Sequence, residues 1–237
     1  MALRPSYSDA AGGAALCSSV VTDLEPFEER DANGAVRGVL HRPSAPTGDG
    51  AVLAHGAGSN CDSPVLRAVA AAFAARGIAA LRIDLPFRQA RPKGPPSPVW
   101  APRDRDGLRH ALAALARRCP RRLVLGGHSY GGRQASMLLA DAPGLAHGLL
   151  LLAYPLHPPG RPERRRTEHL ITLRTPTVFV QGTRDPFGFV DELEEARGLV
   201  PAPTRLLSVR DAGHDLGVRG NGSFAEAAVA ELLALLG

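Results

Sequence analysis

Apolar residues along this chain gather in short unbroken runs separated by longer amphipathic stretches. Ala51-Val52-Leu53-Ala54, Ile78 to Ile83, Leu123-Val124-Leu125, Leu149 to Ala153, Thr177 to Gln181 and Arg205 to Val209 are such runs. Runs this short, rich in Val, Ile and Leu and largely free of polar interruption, suit strands buried on both faces of a parallel sheet. Between them, Pro64 to Arg76, Asp104 to Arg118, Gly132 to Ala140, Val190 to Arg197 and Phe224 to Leu236 carry helical signals, and Gly77 supplies a C-terminal stop for the first. Upstream, Ser19 to Phe27 and Ala35 to His41 flank Asn33-Gly34, a turn signal that predicts an opening antiparallel hairpin. The order is hairpin, then strand and helix in alternation. It predicts an α/β fold with a mostly parallel central sheet, an antiparallel N-terminal hairpin, helices on both faces and no large lid.

Residues 1–15 are small and polar without a periodic face, and read as a poorly ordered tail; residues 16–237 read as one domain. Two stretches lack periodicity. Leu85 to Pro102 is proline-rich and holds the single tryptophan, and Pro155 to Pro176 holds the cluster Arg161 to Arg166. Both leave the C-terminal ends of predicted strands, where open parallel sheets bind ligands. Trp100 and Tyr154 are therefore expected to line a substrate pocket.

Composition narrows the function classes. The net charge is +5, but Lys93 is the only lysine among 28 basic residues. The arginine cluster has no aromatic residues interleaved for base stacking, so nucleic-acid binding is not expected. Cys17, Cys61 and Cys119 are odd in number and widely spaced, which fits neither a disulfide framework nor a zinc site and suits a reducing cytoplasm. No apolar stretch is long enough for a membrane span.

The chemistry concentrates at Gly127-His128-Ser129-Tyr130-Gly131. A strand precedes it and a helix follows, so the serine stands at the apex of a sharp strand-to-helix turn, a nucleophile elbow. Incoming strand and outgoing helix approach closely there, which requires small residues at Gly127 and Gly131. A serine hydroxyl is a weak nucleophile and needs a base, and the base needs an orienting acid. The order serine, acid, histidine is met by Asp185, after the strand ending at Gln181, and by His214, after the last strand. Asp211 and Asp215 are the rival acids. An oxyanion needs backbone donors. Tyr130 N–H is one expected donor, and the turn His55-Gly56-Ala57-Gly58 offers Ala57, with Gly58 second. No spacing suits a metal or a phosphate-binding glycine loop, so the chemistry requires no cofactor. His128 is expected to pack beneath the turn, and His55 to hydrogen-bond within its own loop.

These segments, with Gln181 to Gly188 and Ala212-Gly213-His214-Asp215, resemble the KANL3/Tex30-like branch of the α/β-hydrolase superfamily, akin to the dienelactone hydrolases. The resemblance spans about residues 35–235 and implies the α/β-hydrolase fold, with Ser129 as nucleophile, Asp185 as acid and His214 as base. It implies no substrate, since the branch includes non-enzymatic scaffolds and dienelactone hydrolases commonly carry cysteine at the position of Ser129. The expectation is a cytoplasmic serine hydrolase acting on a small carboxylic ester or thioester. A peptidase, an acyltransferase or an idle scaffold are the alternatives. Arg133 and Arg184 are expected either to tie loops together or to meet an anionic substrate.

Overall fold

A computed structural model describes residues 23–31, 34–218 and 224–237. The predicted tail over residues 1–15, the start of the first strand and the Asn33 half of the hairpin turn lie outside the described residues.

Among the described residues, eight strands form one sheet: β1 (Asp23–Asp31), β2 (Gly34–Arg42), β3 (Gly50–Ala54), β4 (Ala79–Ile83), β5 (Leu123–His128), β6 (Gly148–Leu152), β7 (Thr177–Gly182) and β8 (Thr204–Val209). Their spatial order is β1-β2-β4-β3-β5-β6-β7-β8. β1 and β2 pair antiparallel from Asp23 opposite Arg42 to Asp31 opposite Gly34, and β2 joins β4 antiparallel. Every later pairing is parallel. The apolar runs became β3 to β7 because those strands are covered on both faces; each residue of β3, β6 and β7 is buried.

Among the described residues, six helices cover the sheet: α1 (Pro64–Ala75), α2 (Pro86–Ala90), α3 (Ala101–Ala116), α4 (Tyr130–Asp141), α5 (Val190–Arg197) and α6 (Phe224–Leu236). α1 and α6 pack together on one face, where Leu66, Phe73, Val229 and Leu232 meet Leu53, Leu150 and Val178. α3, α4 and α5 cover the other face, where Leu108, Leu138 and Leu193 meet Leu81, Leu125 and Phe179. Side chains alternate along each strand and so feed both cores. Fully burying one such side chain contributes roughly 1.5–3 kcal/mol.

Three local features depart from the sequence pattern. β1 runs on through Glu28, Glu29 and Arg30, since an edge strand with one solvated face tolerates charges. α3 begins at Ala101, with Pro102 in its first turn, where a missing N–H costs nothing. The proline-rich stretch after β4 holds α2 and a single 3-10 turn over Pro98–Trp100, and the connection from β6 to β7 holds another over Leu170–Thr172. No helix among the described residues is long and apolar enough to cross a membrane.

Candidate active site

The site is organised by the turn between β5 and α4. Ser129 sits there at φ 51° and ψ −117°, and its N–H donates to the Leu152 carbonyl at 2.8 Å, which ties the turn to β6. A Cβ on Gly127 would lie 2.6 Å from Gly131 C and Gly132 N, and one on Gly131 would lie 2.6 Å from the Ala54 and His55 carbonyl oxygens. The backbones of β3, β5 and α4 are therefore closer than any side chain allows. The turn presents the serine hydroxyl above the C-terminal edge of the sheet.

Two loops from the same edge meet it. Ser129 Oγ lies 2.8 Å from His214 Nε2, and His214 Nδ1 lies 2.8 Å from Asp185 Oδ2. With the carboxylate accepting at Nδ1, the neutral ring carries its proton there and leaves Nε2 free to accept from the serine. Asp185 is fully buried, and two further donors hold it: Gln181 Nε2 at 3.0 Å and Phe187 N–H at 2.9 Å. The Phe187 ring packs on the His214 ring with centroids 4.2 Å apart. The rival acids are otherwise engaged. Asp211 pairs with Arg184 in solvent, and Asp215 caps its own turn by accepting Gly217 N–H at 3.1 Å.

Most positions in the segment Gln181 to Asp185 thus have a physical task, and Phe187 and Gly188 have theirs. Gln181 accepts Tyr154 N–H at 2.9 Å and donates both to Asp185 and to the Gly188 carbonyl. A Cβ on Gly182 would strike the Ala212 and Gly213 carbonyls at 2.4 and 2.5 Å, so only glycine lets the loop bearing His214 come this near. Thr183 Oγ1 accepts Asp211 N–H at 2.9 Å. Gln181 was missed as a positioning residue, although a lone amide ending an apolar strand is a readable signal.

Beside the serine, His128 Nε2–H donates to the His214 backbone carbonyl at 2.7 Å, and its ring lies 5.1 Å from that of His214. Burial lowers its pKa to about 4, so it is neutral; rather than packing beneath the turn as expected, it is half-buried and borders the cavity beside Ser129. His55 is fully buried and does more than bond within its own loop: Nδ1–H donates to the Gly56 carbonyl at 2.8 Å, and Nε2 accepts Leu85 N–H at 3.1 Å, which ties the loop after β3 to the one after β4. Burial lowers its pKa as well.

Ala57, Gly58 and Tyr130 all border the cavity at Ser129. Tyr130 opens α4, where the first N–H groups have no intrahelical acceptor and the helix dipole favours negative charge. The Gly56 carbonyl is turned to His55, and the Ala57 carbonyl to the Arg88 guanidinium at 3.0 Å. A trans peptide sets N–H opposite its own C=O, so the amides of Ala57 and Gly58 face away from those anchors. Arg88 also donates to the Ser59, Arg91 and Gly94 carbonyls, and so fastens the Ala57 loop to the proline-rich stretch. Sequence reading missed this residue because its hydrogen-bond partners are backbone carbonyls. The Tyr130 hydroxyl donates to buried Asp104 at 2.7 Å; burial first and then that carboxylate raise its pKa, so it stays protonated.

The cavity measures about 610 Å³, within the range of small-molecule sites. Pro95, Pro96 and Pro98 wall one side and Phe187 and Pro155 another. Trp100 and Tyr154 are corrections to the expected pocket. Trp100 packs against the core beneath α3 with Arg103 over its ring, and Tyr154 is wholly buried against Phe179 with its hydroxyl on the Arg166 carbonyl. Neither borders the cavity: the Trp100 ring, half-buried, and the buried Tyr154 ring are taken up in packing against the core. Among the described residues, no group of His, Cys, Asp and Glu is placed to hold a metal ion. Cys61 and Cys119 are buried free thiols, and burial pushes Cys61 up to about 12.

Solved structures share this architecture. An α/β serine hydrolase homologue from Coxiella burnetii superposes with a TM-score of 0.72 at 17% identity, over 91% of this chain and 100% of that one. A dienelactone hydrolase from Anabaena variabilis gives 0.71 at 21%, over 90% and 97%. An α/β serine hydrolase without a lid from Xanthomonas campestris gives 0.69 at 17%, over 88% and 94%. At these identities the likeness speaks for the fold. Residues 49–234 match the family described as "Alpha/beta hydrolase domain", a span from β3 into α6 that takes in Ser129, Asp185 and His214, and the chain is a member of that hydrolase family.

Proposed function

We propose that the chain is a serine hydrolase that cleaves a small carboxylic ester or thioester through an acyl-enzyme. The observation that carries this reading is the unbroken hydrogen-bonded series from Ser129 through His214 to the buried, triply held Asp185. Ser129 Oγ attacks the acyl carbon while His214 Nε2 takes its proton, and the carbonyl oxygen becomes an oxyanion facing the amides of Tyr130 and Ala57, with Gly58 adjacent. His214 returns the proton to the departing alcohol or thiol. Water then enters, loses a proton to the same nitrogen and attacks the acyl-enzyme, and the acid product leaves with Ser129 restored. Asp185 holds the ring in its reactive tautomer and stabilises the imidazolium formed at each step. Removing one oxyanion donor in such sites costs about 10²–10³ in rate.

The cavity size, the direct opening above the sheet edge and the absence of a long insertion between β6 and β7 support a small substrate over a bulky lipid. The segments around Gln181 to Gly188 support placement in the KANL3/Tex30-like branch, and the composition supports a cytoplasmic location with no nucleic-acid partner. A fluorophosphonate probe should label the native chain covalently and leave Ser129→Ala unlabelled. Short p-nitrophenyl esters should then show a burst of p-nitrophenol as acyl-enzyme accumulates. A native chain that resists the probe would remove Ser129 as nucleophile.

A further inference from the structure

Arg133 lies one helical turn beyond Ser129, and its N–H donates to the Ser129 carbonyl at 3.0 Å. Residues four apart share a helix face, and both side chains border the same cavity. The Nε of Arg133 is buried without a hydrogen-bond partner. Gln134, next in the chain, reaches the same wall. Its Oε1 accepts from Arg105 at 3.1 Å, and its Nε2 is also buried and unpartnered. Arg166, from the connection after β6, borders the cavity too and is fastened by donating to the Pro155 carbonyl at 3.1 Å. Burial, and then the nearby positive charge of Arg133, lower its pKa.

The wall is therefore made of donors and positive charge. Among the described residues, no Asp or Glu borders the cavity, and neither Arg133 nor Arg166 forms an ion pair. Several arginines elsewhere do pair with a carboxylate, among them Arg184 with Asp211, Arg122 with Asp49 and Arg205 with Glu231. The choice left open for Arg133 and Arg184 divides cleanly, since Arg184 ties two loops together and Arg133 faces the cavity. Two guanidinium groups held near one another with unspent donors form an arrangement that is costly when empty and is relieved by a bound anion. A guanidinium matches the two oxygens of a carboxylate in plane and spacing.

We propose that Arg133, Arg166 and Gln134 bind a carboxylate carried by the substrate, so that the preferred ester is an acidic one. This rests on the reading of Ser129 as nucleophile. The test compares kcat/KM for mono-p-nitrophenyl adipate and its neutral methyl ester, which differ in charge on the acyl side. The butyryl esters of 4-hydroxybenzoate and of methyl 4-hydroxybenzoate place the same difference on the leaving group. In at least one pair the charged ester should be preferred by roughly tenfold to a hundredfold, the size of one or two charge-assisted hydrogen bonds. That ratio should fall to about one in Arg133→Gln and be only partly kept in Arg133→Lys, which retains the positive charge but loses the planar fork that matches a carboxylate. Arg166→Gln provides the comparison if Arg133→Gln does not fold.

Equal or reversed preference in both pairs, or a preference untouched by Arg133→Gln, would overturn the proposal while probe labelling of Ser129 stood. Conversely, a chain that resists the probe would overturn the nucleophile alone. The anion wall is then read without turnover: adipate should raise the melting temperature of Ser129→Ala and not that of Ser129→Ala with Arg133→Gln. No stabilisation in the first would count against the wall.

Discussion

Ser129 occupies a backbone region that side-chain-bearing residues rarely adopt, at a cost of about 1–3 kcal/mol that the surrounding contacts must hold in place. The Leu152 carbonyl on one side and the glycine contacts on the other do so. The same economy of contacts defines the proposed acid. Asp185 accepts from Gln181, from Phe187 N–H and from His214, so every donor around it expects a carboxylate. In Asp185→Asn, one of those donors would face an amide N–H, and the His214 ring would lose the partner that fixes its tautomer. Turnover should drop by roughly 10⁴-fold, as when a triad acid loses its charge. A stability loss of about 1–3 kcal/mol should accompany it, from the donor left unpaired in a buried place. Measuring kcat/KM beside the melting temperature separates the two effects, and near-normal turnover would take the acid role away from Asp185.

At the scale of elements, the elbow works because β3, β5 and α4 approach to backbone contact. Gly131→Ala tests this, since its methyl would meet two carbonyl oxygens of the β3 exit at 2.6 Å and no flexible side chain is there to yield. We expect a loss of roughly 3 kcal/mol or more, at the upper end of overpacking penalties, read as a lowered denaturant midpoint. An unchanged midpoint would mean that the strand and helix can separate. Ser129, Asp185 and His214 were legible as candidates in the sequence because each closely follows a strand-like run, although β8, ahead of His214, is a half-buried edge strand. What stayed hidden depends on contacts between distant segments. Arg88 acts through carbonyls at Ala57, Ser59, Arg91 and Gly94, and backbone acceptors leave no trace in residue identity. Trp100 looked like a pocket wall because it is the one tryptophan in a proline-rich stretch, but α3 starts beside it and draws the ring into packing. The second half of β1 was obscured by charge, which an edge strand accepts on its open face.

Across the whole molecule, the buried histidines set how stability responds to acid. His41 on β2, His128 at the end of β5 and His169 beside α4 each have their pKa lowered to about 4, in every case by burial first. Positive neighbours add to this: Arg82 donates to His41 Nε2 at 2.9 Å, and Arg133 lies near His169. His55 is lowered too. In the unfolded chain each titrates near 6.5. Above that pH both states are neutral there and these groups confer no pH dependence. Between about 6.5 and 4 the unfolded chain binds protons that the folded chain refuses, so stability falls as pH falls, by up to about 1.4 kcal/mol per pH unit for each histidine. Asp104 works in the opposite direction, because burial raises its pKa and the folded state takes up its proton more readily. One carboxyl does not offset four histidines. Depressed carboxylates such as Asp49 and Glu192 add their own loss only at lower pH, as they begin to protonate. Melting temperature should therefore be level from pH 8 to 7 and decline steeply from pH 6 to 4.5. His41→Gln should flatten part of that decline, since an uncharged amide can occupy the place beside Arg82 at any pH. A flat profile from pH 7 to 5 would show that these rings accept protons in the folded state, and that the sites around them admit more water than their packing implies.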